Sequence, residues 1–281
     1  AEARSVTVPY PQAGEDAEEP AGRARRQGAP RLACRLAAAG QMTPAVRRGA
    51  GRLTLPLAEL AERPDLLEAC GPRLAAELPV FCAPQQEETV IRTLRRLKEQ
   101  GLTHALCGNL GALLMAREAG LEVIGDYGLN IINSPAARQA AELGCGAITL
   151  SFECERGAAK NIASPVPLGV IAYGHLPLML LRNCPGKTAA GCGDCTGINH
   201  ITDRRGEDFP LQCERRRYTH LLNPRPLLLC DRLPEWDFCD FLTLRFTTES
   251  PAECDEVLKM YQTGAAPAGQ FTRGLYYRTL K

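Results

Sequence analysis

From residue 31 onward, short apolar runs alternate with segments whose apolar residues recur at helical spacing. The strand candidates are 31–37 (RLACRLA), 52–57, 78–83 (LPVFCA), 104–109, 122–128, 147–152, 168–174 (LGVIAYG) and 240–246. Between them lie amphipathic stretches. In EETVIRTLRRLKEQG, Val90, Leu94 and Leu97 share one face and Gly101 marks a stop. SPAARQAAELG (134–144) is a second, with Ser134 as the expected N-cap. Near-continuous apolar strands separated by helices of this kind need burial on both faces, the property of a parallel sheet covered by helices. Eight such strands is the number that closes a (β/α)8, TIM-like barrel; a doubly wound open sheet is the competing arrangement. The expectation is an α/β barrel over residues 30–281, with a cysteine-rich insert at about 182–232 between its seventh and eighth strands.

Residues 1–29 differ. They are rich in Ala, Gly, Pro, Glu and Arg and nearly lack aliphatic side chains, so a linker or tail is expected there. The chain opens with Ala rather than Met, as a piece of a longer polypeptide or a processed chain would. Its 33 Lys and Arg against 32 Asp and Glu leave a net charge of +1, which excludes a globally basic nucleic-acid binder but not a local basic patch. No apolar run approaches the roughly 18 residues of a membrane span. Thirteen cysteines, an odd number, with no signal peptide, place the expected compartment in a reducing cytoplasm. Most lie singly in apolar runs, such as Cys82, Cys107 and Cys145, where a thiol acts as a small hydrophobe.

Barrel enzymes work at the carboxyl ends of their strands. The polar residues expected there are Asn109, Asp126 with Asn130 and Asn133, Ser151 with Glu153, Tyr173 with His175, and Arg245 with Thr247. Of these, Asp126, Glu153, Tyr173, His175 and Arg245 are the catalytic candidates, and Asn109, Asn130 and Asn133 the substrate-binding ones. The competing reading is turn chemistry for the asparagines and a satisfied core histidine for His175.

The densest chemistry lies in CPGKTAAGCGDCTGINHITDRRGEDFPLQC, residues 184–213, where cysteines are spaced C-x7-C-x2-C-x17-C. A C-x2-C turn brings two sulfurs together, and the outer two can close the site. Four thiolates suit zinc or a [4Fe–4S] cluster. One C-x2-C knuckle with two outlying cysteines, rather than the two knuckles of a zinc ribbon, leans towards the cluster.

Several stretches together resemble the peptidase U32, or collagenase-like, family: LCGNLGALLMAREAGLEVIGDYGLNIINS, AITLSFE, VIAYGHLPLMLLRNCP, CGDC, ITDRRGEDFPLQC and FTRGLYYR. The likeness covers roughly residues 31–281 and matches the carboxyl-terminal part of longer members, so an amino-terminal region or partner subunit is an expected companion. The family name implies proteolysis. Several members instead bind an iron–sulfur cluster through four cysteines and support oxygen-independent hydroxylation of tRNA or rRNA bases or of a quinone precursor. The resemblance implies Cys184, Cys192, Cys195 and Cys213 as ligands, with Cys230 the alternative to Cys213.

A basic stretch (Lys187, Arg204, Arg205, Arg215, Arg216, Arg217, with Tyr218 and His220) offers phosphate contacts for tRNA or rRNA, although Asp203, Glu207, Asp208 and Glu214 balance it. Three functions stand as expectations: an RNA-hydroxylating iron–sulfur enzyme, a metal-dependent peptidase, or a non-catalytic half of a larger assembly with a structural cluster. For the peptidase the chain has neither H-E-x-x-H nor G-x-S-x-G.

Overall fold

The computed structural model describes residues 28–187, 192, 195, 197–265 and 269–278. The expected linker at 1–29 therefore lies outside the described residues except for Gly28 and Ala29, as do the residues between the cysteines of the C-x2-C turn.

Eight parallel strands close a barrel: β1 (Arg31–Arg35), β2 (Arg52–Pro56), β3 (Leu74–Glu77), β4 (His104–Cys107), β5 (Glu122–Gly125), β6 (Cys145–Thr149), β7 (Leu168–Gly174) and, after the insert, β13 (Phe241–Arg245). Each pairs with the next, β7 pairs with β13, and β13 pairs with β1, so the ring has no free edge. The helices between the strands are α1 (Pro44–Gly49), α2 (Leu57–Glu62), α3 (Asp65–Cys70), α4 (Pro84–Glu99), α5 (Leu110–Glu118), α6 (Ser134–Glu142) and α7 (Arg156–Lys160), and α8 (Pro251–Thr263) comes after β13. The (β/α)8 reading is correct.

Two boundaries differ from expectation for physical reasons. The third strand is Leu74–Glu77 and not 78–83. Its ladder reaches Leu78, whose N–H donates to Leu106 O at 3.0 Å, and then stops at Pro79, which has no N–H to give. Residues 78–83 form the loop into α4. The cap of α6 is Asn133 rather than Ser134, because the Asn133 side chain accepts from Ala136 N. Helix α4 runs as expected, burying Val90, Leu94 and Leu97, and Gly101 takes the left-handed φ of +104° that ends it.

Among the described residues the buried side chains form two separate cores. One fills the space between strands and helices, and holds Trp236, Tyr276, Phe246 and many leucines. The other is small and lies in the barrel lumen: Ala75, Leu106, Ile124 and Ala147, with Phe241 against them. Period-two alternation along a strand sends every second residue to the same face. Two positions above Ala75 and Ile124 therefore come Glu77 and Asp126, and the same step carries β1 from Ala33 to Arg35 and β13 from Thr243 to Arg245. Lumen floor is apolar and lumen mouth is charged.

The insert is a four-stranded antiparallel sheet, unforeseen in the sequence. Its strands are β8 (Pro177–Leu181), β9 (Ile198–Thr202), β10 (Asp208–Glu214) and β11 (Tyr218–Leu222), ordered β8-β11-β10-β9. A short strand, β12 (Leu227–Leu228), returns the chain to β7. The carboxyl-terminal FTRGLYYR closes the barrel wall: Tyr276 is fully buried against Trp236 and donates its hydroxyl to Ile171 O at 2.8 Å.

Chain exit from β7 into the insert depends on Gly174, whose φ is +122°; a Cβ there would collide with the Arg245 carbonyl oxygen. Backbone cannot yield as a side-chain tip does. Gly174→Ala is expected to cost about 2 kcal/mol or more, read as a fall in thermal midpoint of at least about 4 °C; an unchanged midpoint would show that β7 and β13 are not packed this way.

Candidate functional site

Four charged side chains converge at the carboxyl mouth of the barrel. Arg35, from the end of β1, donates through Nε to Glu77 Oε2 at 2.8 Å and through a terminal nitrogen to Glu77 Oε1 at 2.5 Å, a bidentate fork onto β3. Its other terminal nitrogen donates to Asp126 Oδ2 at 2.7 Å, just beyond β5. β1, β3 and β5 are not ladder neighbours, so these bonds cross the lumen. Arg35 also lies 5.5 Å from the centroid of the Tyr127 ring. Arg245, from β13, sits beside Arg35 in the ladder. Arg35 and Arg245 are each 5 % exposed and Asp126 6 %.

The electrostatics arise from two carboxylates sharing one close cation. Burial opposes the charge on Glu77, but Arg35 more than offsets it and holds the Glu77 carboxyl below its usual range. Asp126 is pushed up: burial is the largest cause, and the Glu77 charge adds to it against Arg35. Glu77 is the firm anion; Asp126 holds its proton more readily.

The insert covers this mouth. β11 brings His220 and β10 brings Glu214 over the network, with His220 Nε2 at 4.0 Å from Glu214 Oε2. His220 is 7 % exposed, and burial, with Arg245 next in weight, depresses its pKa to about 4. It is a neutral imidazole at pH 7. Burial, with Glu77 second, raises Glu214. Arg215, at the β10–β11 turn, pins the sheet to α2 through Glu59 (3.1 Å) and Glu62 (2.5 Å). Between sheet and barrel lies a pocket of about 280 Å3 whose walls include Arg35, Glu77, Cys213, Glu214, His220 and Arg245.

The residues singled out from sequence divide. Asp126 and Arg245 stand in the network. His175 contributes through its backbone: its carbonyl accepts from Arg245 at 2.7 Å, while its ring Nδ1 lies 2.7 Å from Asn223 O. Tyr173 turns outward and packs on Phe246 and Tyr261 in the helix layer. Glu153 is exposed on the loop after β6. Asn109 caps α5, accepting from Ala112 N and donating to Val80 O; Asn133 caps α6 as described; Asn130 is exposed in a left-handed turn at φ 53°. Sequence reasoning misses Arg35 and Glu77 as site residues, and places His220 and Glu214 in the basic stretch rather than at the barrel mouth. The signal for the first two is a charge placed two positions after a lumen alanine.

The cysteines also divide. Cys34, Cys107, Cys145 and Cys254 are buried in the barrel, and burial pushes their thiols up, Cys34 to about 12 and Cys145 to about 11. Cys184, Cys192 and Cys213 are half-buried and Cys195 is exposed, all in the insert. Cys195 Sγ accepts from Gly197 N at 3.4 Å and Cys213 Sγ from Arg216 N at 3.3 Å, contacts of the kind that support thiolates. Cys195 and Cys213 also lie on segments joined by the Cys213 N to Gly197 O bond of 2.7 Å. This donor chemistry fits a soft metal or cluster. Among the described residues, no three His, Cys, Asp or Glu side chains are grouped so as to hold a metal ion. Cys230, the alternative fourth ligand, is buried and donates to Ala265 O.

An eight-stranded parallel barrel with a polar pocket at its carboxyl mouth defines a (β/α)8-barrel protein whose candidate site occupies the face that enzymes of this fold use. The chain belongs to peptidase family U32, which it matches over residues 38–262. Among solved structures it is similar to the U32 peptidase Mk0906 at 12 % identity, covering 82 % of this chain and 98 % of that one, with a TM-score of 0.46. It is also similar to a tryptophan synthase alpha-subunit mutant from Pyrococcus furiosus (11 % identity, 83 % and 98 % covered, TM-score 0.48) and to deoxyribose phosphate aldolase from Aeropyrum pernix (13 %, 50 % and 75 %, 0.35). No curated protein matches the chain. Among the described residues no helix is long and apolar enough to cross a membrane.

Removing Arg35 alone would strand two buried carboxyls, which costs about 3–5 kcal/mol. Arg35→Met is therefore expected to lower the urea midpoint far more than the triple change Arg35→Met, Glu77→Gln, Asp126→Asn, which removes the charges together; equal losses would show that the network is not coupled. His220 yields a pH expectation. Between the unfolded value of about 6.5 and the folded value of about 4, only the unfolded chain takes up the proton, so stability falls as pH drops through that window. The loss is on the order of 3 kcal/mol, and His220→Gln should flatten this part of the stability–pH curve measured by urea unfolding.

Proposed function

We propose that this U32 chain is an iron–sulfur-dependent enzyme of the RNA-hydroxylating type, acting at the barrel mouth. The observation that carries the reading is the position of Cys213, which lines the same pocket as Arg35, Glu77, His220 and Arg245. A purely structural cysteine staple has no need to border a charged pocket. Cys184, Cys192, Cys195 and Cys213 would hold a [4Fe–4S] cluster, which when bound supplies one-electron chemistry. The chain's own residues supply the rest. Arg35 and Glu77 form a fixed ion pair that keeps the mouth polar and oriented. Neutral His220 offers a ring nitrogen as a hydrogen-bond acceptor, and burial holds the Glu214 carboxyl above its usual range beside it. The insert sheet shields His220 from water.

RNA as substrate is supported by a cleft beside this sheet. Phe81 (53 % exposed), Leu180, Arg182, Arg216 and Arg217 line it. An exposed ring among arginines is the equipment that stacks and neutralises unpaired nucleotides.

Protein purified without oxygen is expected to contain about four irons and four acid-labile sulfides per chain, the content of one [4Fe–4S] cluster. Its visible charge-transfer absorption should be lost in Cys192→Ala. One zinc per chain, or no metal, would sink the redox reading and leave the peptidase or the non-catalytic half. RNA binding is checked separately: Arg216→Glu with Arg217→Glu should weaken binding of a single-stranded RNA and reduce its salt dependence.

A further inference from the structure

The barrel wall closes on itself, but the sheet that covers its mouth has two edges, β8 and β9. The edges differ in chemistry. β9 carries Asn199, His200 and Thr202, whereas β8 reads PLMLL and holds no charged residue. Leu178, Met179 and Leu180 are 48 %, 54 % and 44 % exposed, three large apolar side chains in a row. Natural edges are blunted by charge, by bulges or by proline, because a flat apolar edge invites another strand. Here the proline, Pro177, stands at the first position, where it leaves the rest of the strand free to pair. Among the described residues β8 pairs with β11 alone. Its opposite side presents a row of backbone N–H and C=O groups with no ladder partner.

Register along the strand says what fits beside it. Leu180 stands opposite His220 and Met179 opposite Leu221, so Leu178 and Leu180 share the barrel side and Met179 faces away. Leu180 and Arg182, two residues on, line a cleft of about 540 Å3 with Phe81, Arg216 and Arg217. Three arginines and no carboxylate line that cleft among the described residues. Glu214 reaches Arg217 through space, and the end of the edge stays net positive. We propose that β8 docks an extended segment of a partner protein as a fifth strand of the insert sheet. Apolar residues at alternate positions of that segment lie against Leu178, Leu180 and Phe81, and an acidic residue at one end meets Arg182. Main-chain bonds supply the affinity and the alternate side chains the specificity. An RNA strand would use the arginines and the Phe81 ring but has no row of amides to satisfy β8. The inference therefore goes beyond the RNA reading, and it does not depend on the cluster.

The test uses the full chain with labelled peptides Glu-Thr-Val-Thr-Val-Thr and Lys-Thr-Val-Thr-Val-Thr and a short single-stranded RNA, read by fluorescence anisotropy and by hydrogen exchange. The acidic peptide is expected to bind saturably, about tenfold tighter than its lysine counterpart, and to protect the outward amides of β8. N-methylation of one alternate set of its amides should abolish binding while methylation of the other set leaves it, the signature of pairing along one strand edge. Leu178→Lys combined with Met179→Lys, both at exposed positions, should weaken the peptide about tenfold at an unchanged thermal midpoint. Arg182→Glu should erase the preference for the acidic peptide. Should the double-lysine variant fail to fold, the methylated peptides decide the matter on the unaltered chain. Absence of saturable binding, equal affinity for the two peptides, equal loss from both methylated sets, unchanged binding in the double-lysine variant, or protection of β8 by the RNA alone would each overturn the proposal.

Discussion

Arg35 reaching across the lumen to Glu77 and Asp126 is the contact on which the functional face depends. Charged groups in a barrel interior are costly unless paired, because the surrounding protein solvates them poorly. Here one guanidinium ties strand β1 to β3 and β5, three strands that share no ladder bonds. The ladder alone fixes each strand against its neighbours. The ion network fixes opposite walls against each other, at the level where the pocket begins. Below it the lumen is lined in large part by small and apolar residues such as Ala75 and Ala147. The division between an apolar lumen and a charged mouth is thus a property of two successive inward positions on β1, β3 and β5.

The insert completes the site rather than decorating it. Without β10 and β11, Arg35 and Glu77 would face water, and a high-dielectric surround would weaken every interaction among them. Covering by His220, Glu214 and Cys213 lowers that screening and couples the groups: Glu77 raises Glu214, and Arg245 lowers His220. The covering sheet is tied to α2 by the exposed pair of bonds from Arg215 to Glu59 and Glu62. Such exposed pairs contribute little each. More of the hold comes from residues the sheet buries, Leu211, Tyr218, Thr219, His220 and Leu222.

Barrel strands are legible in the sequence because they are buried on both faces and read as continuous apolar runs, as in LGVIAYG. β3 is misplaced by such reading because LAAE carries no β-branched or aromatic residue, while the neighbouring LPVFCA does; the ladder is decided by where Pro79 interrupts it, not by propensity. The insert strands escape for a related reason. PLMLL and INHIT look like loop or helix fragments when their partners are distant in sequence, and β8 is paired to β11 across some forty residues. Among the site residues, Asp126 and Arg245 are legible as polar side chains at the carboxyl ends of apolar strands. Asn109 and Asn133 satisfy the same criterion but are helix caps, since the first turn of every barrel helix also begins at that place and needs an acceptor.

Arg35 and Glu77 are harder to see because they end strands whose next residues, Leu36 and Leu78, continue the apolar run. Searching beyond the strand passes over the last inward residue within it. Period two supplies the missing rule: an inward alanine at position i makes position i+2 the mouth, so a charge there faces the pocket. Carried to β13, where Thr243 is the inward residue, the same two-residue step selects Arg245 as well, whose direct bond goes to the His175 carbonyl. Arg35 takes the direct bonds to both carboxylates, while Arg245, beside it in the ladder, acts on Glu77 and Asp126 only through space. Two arginines and two carboxylates therefore share the mouth, and the arginine that crosses the lumen is the one that holds opposite walls together.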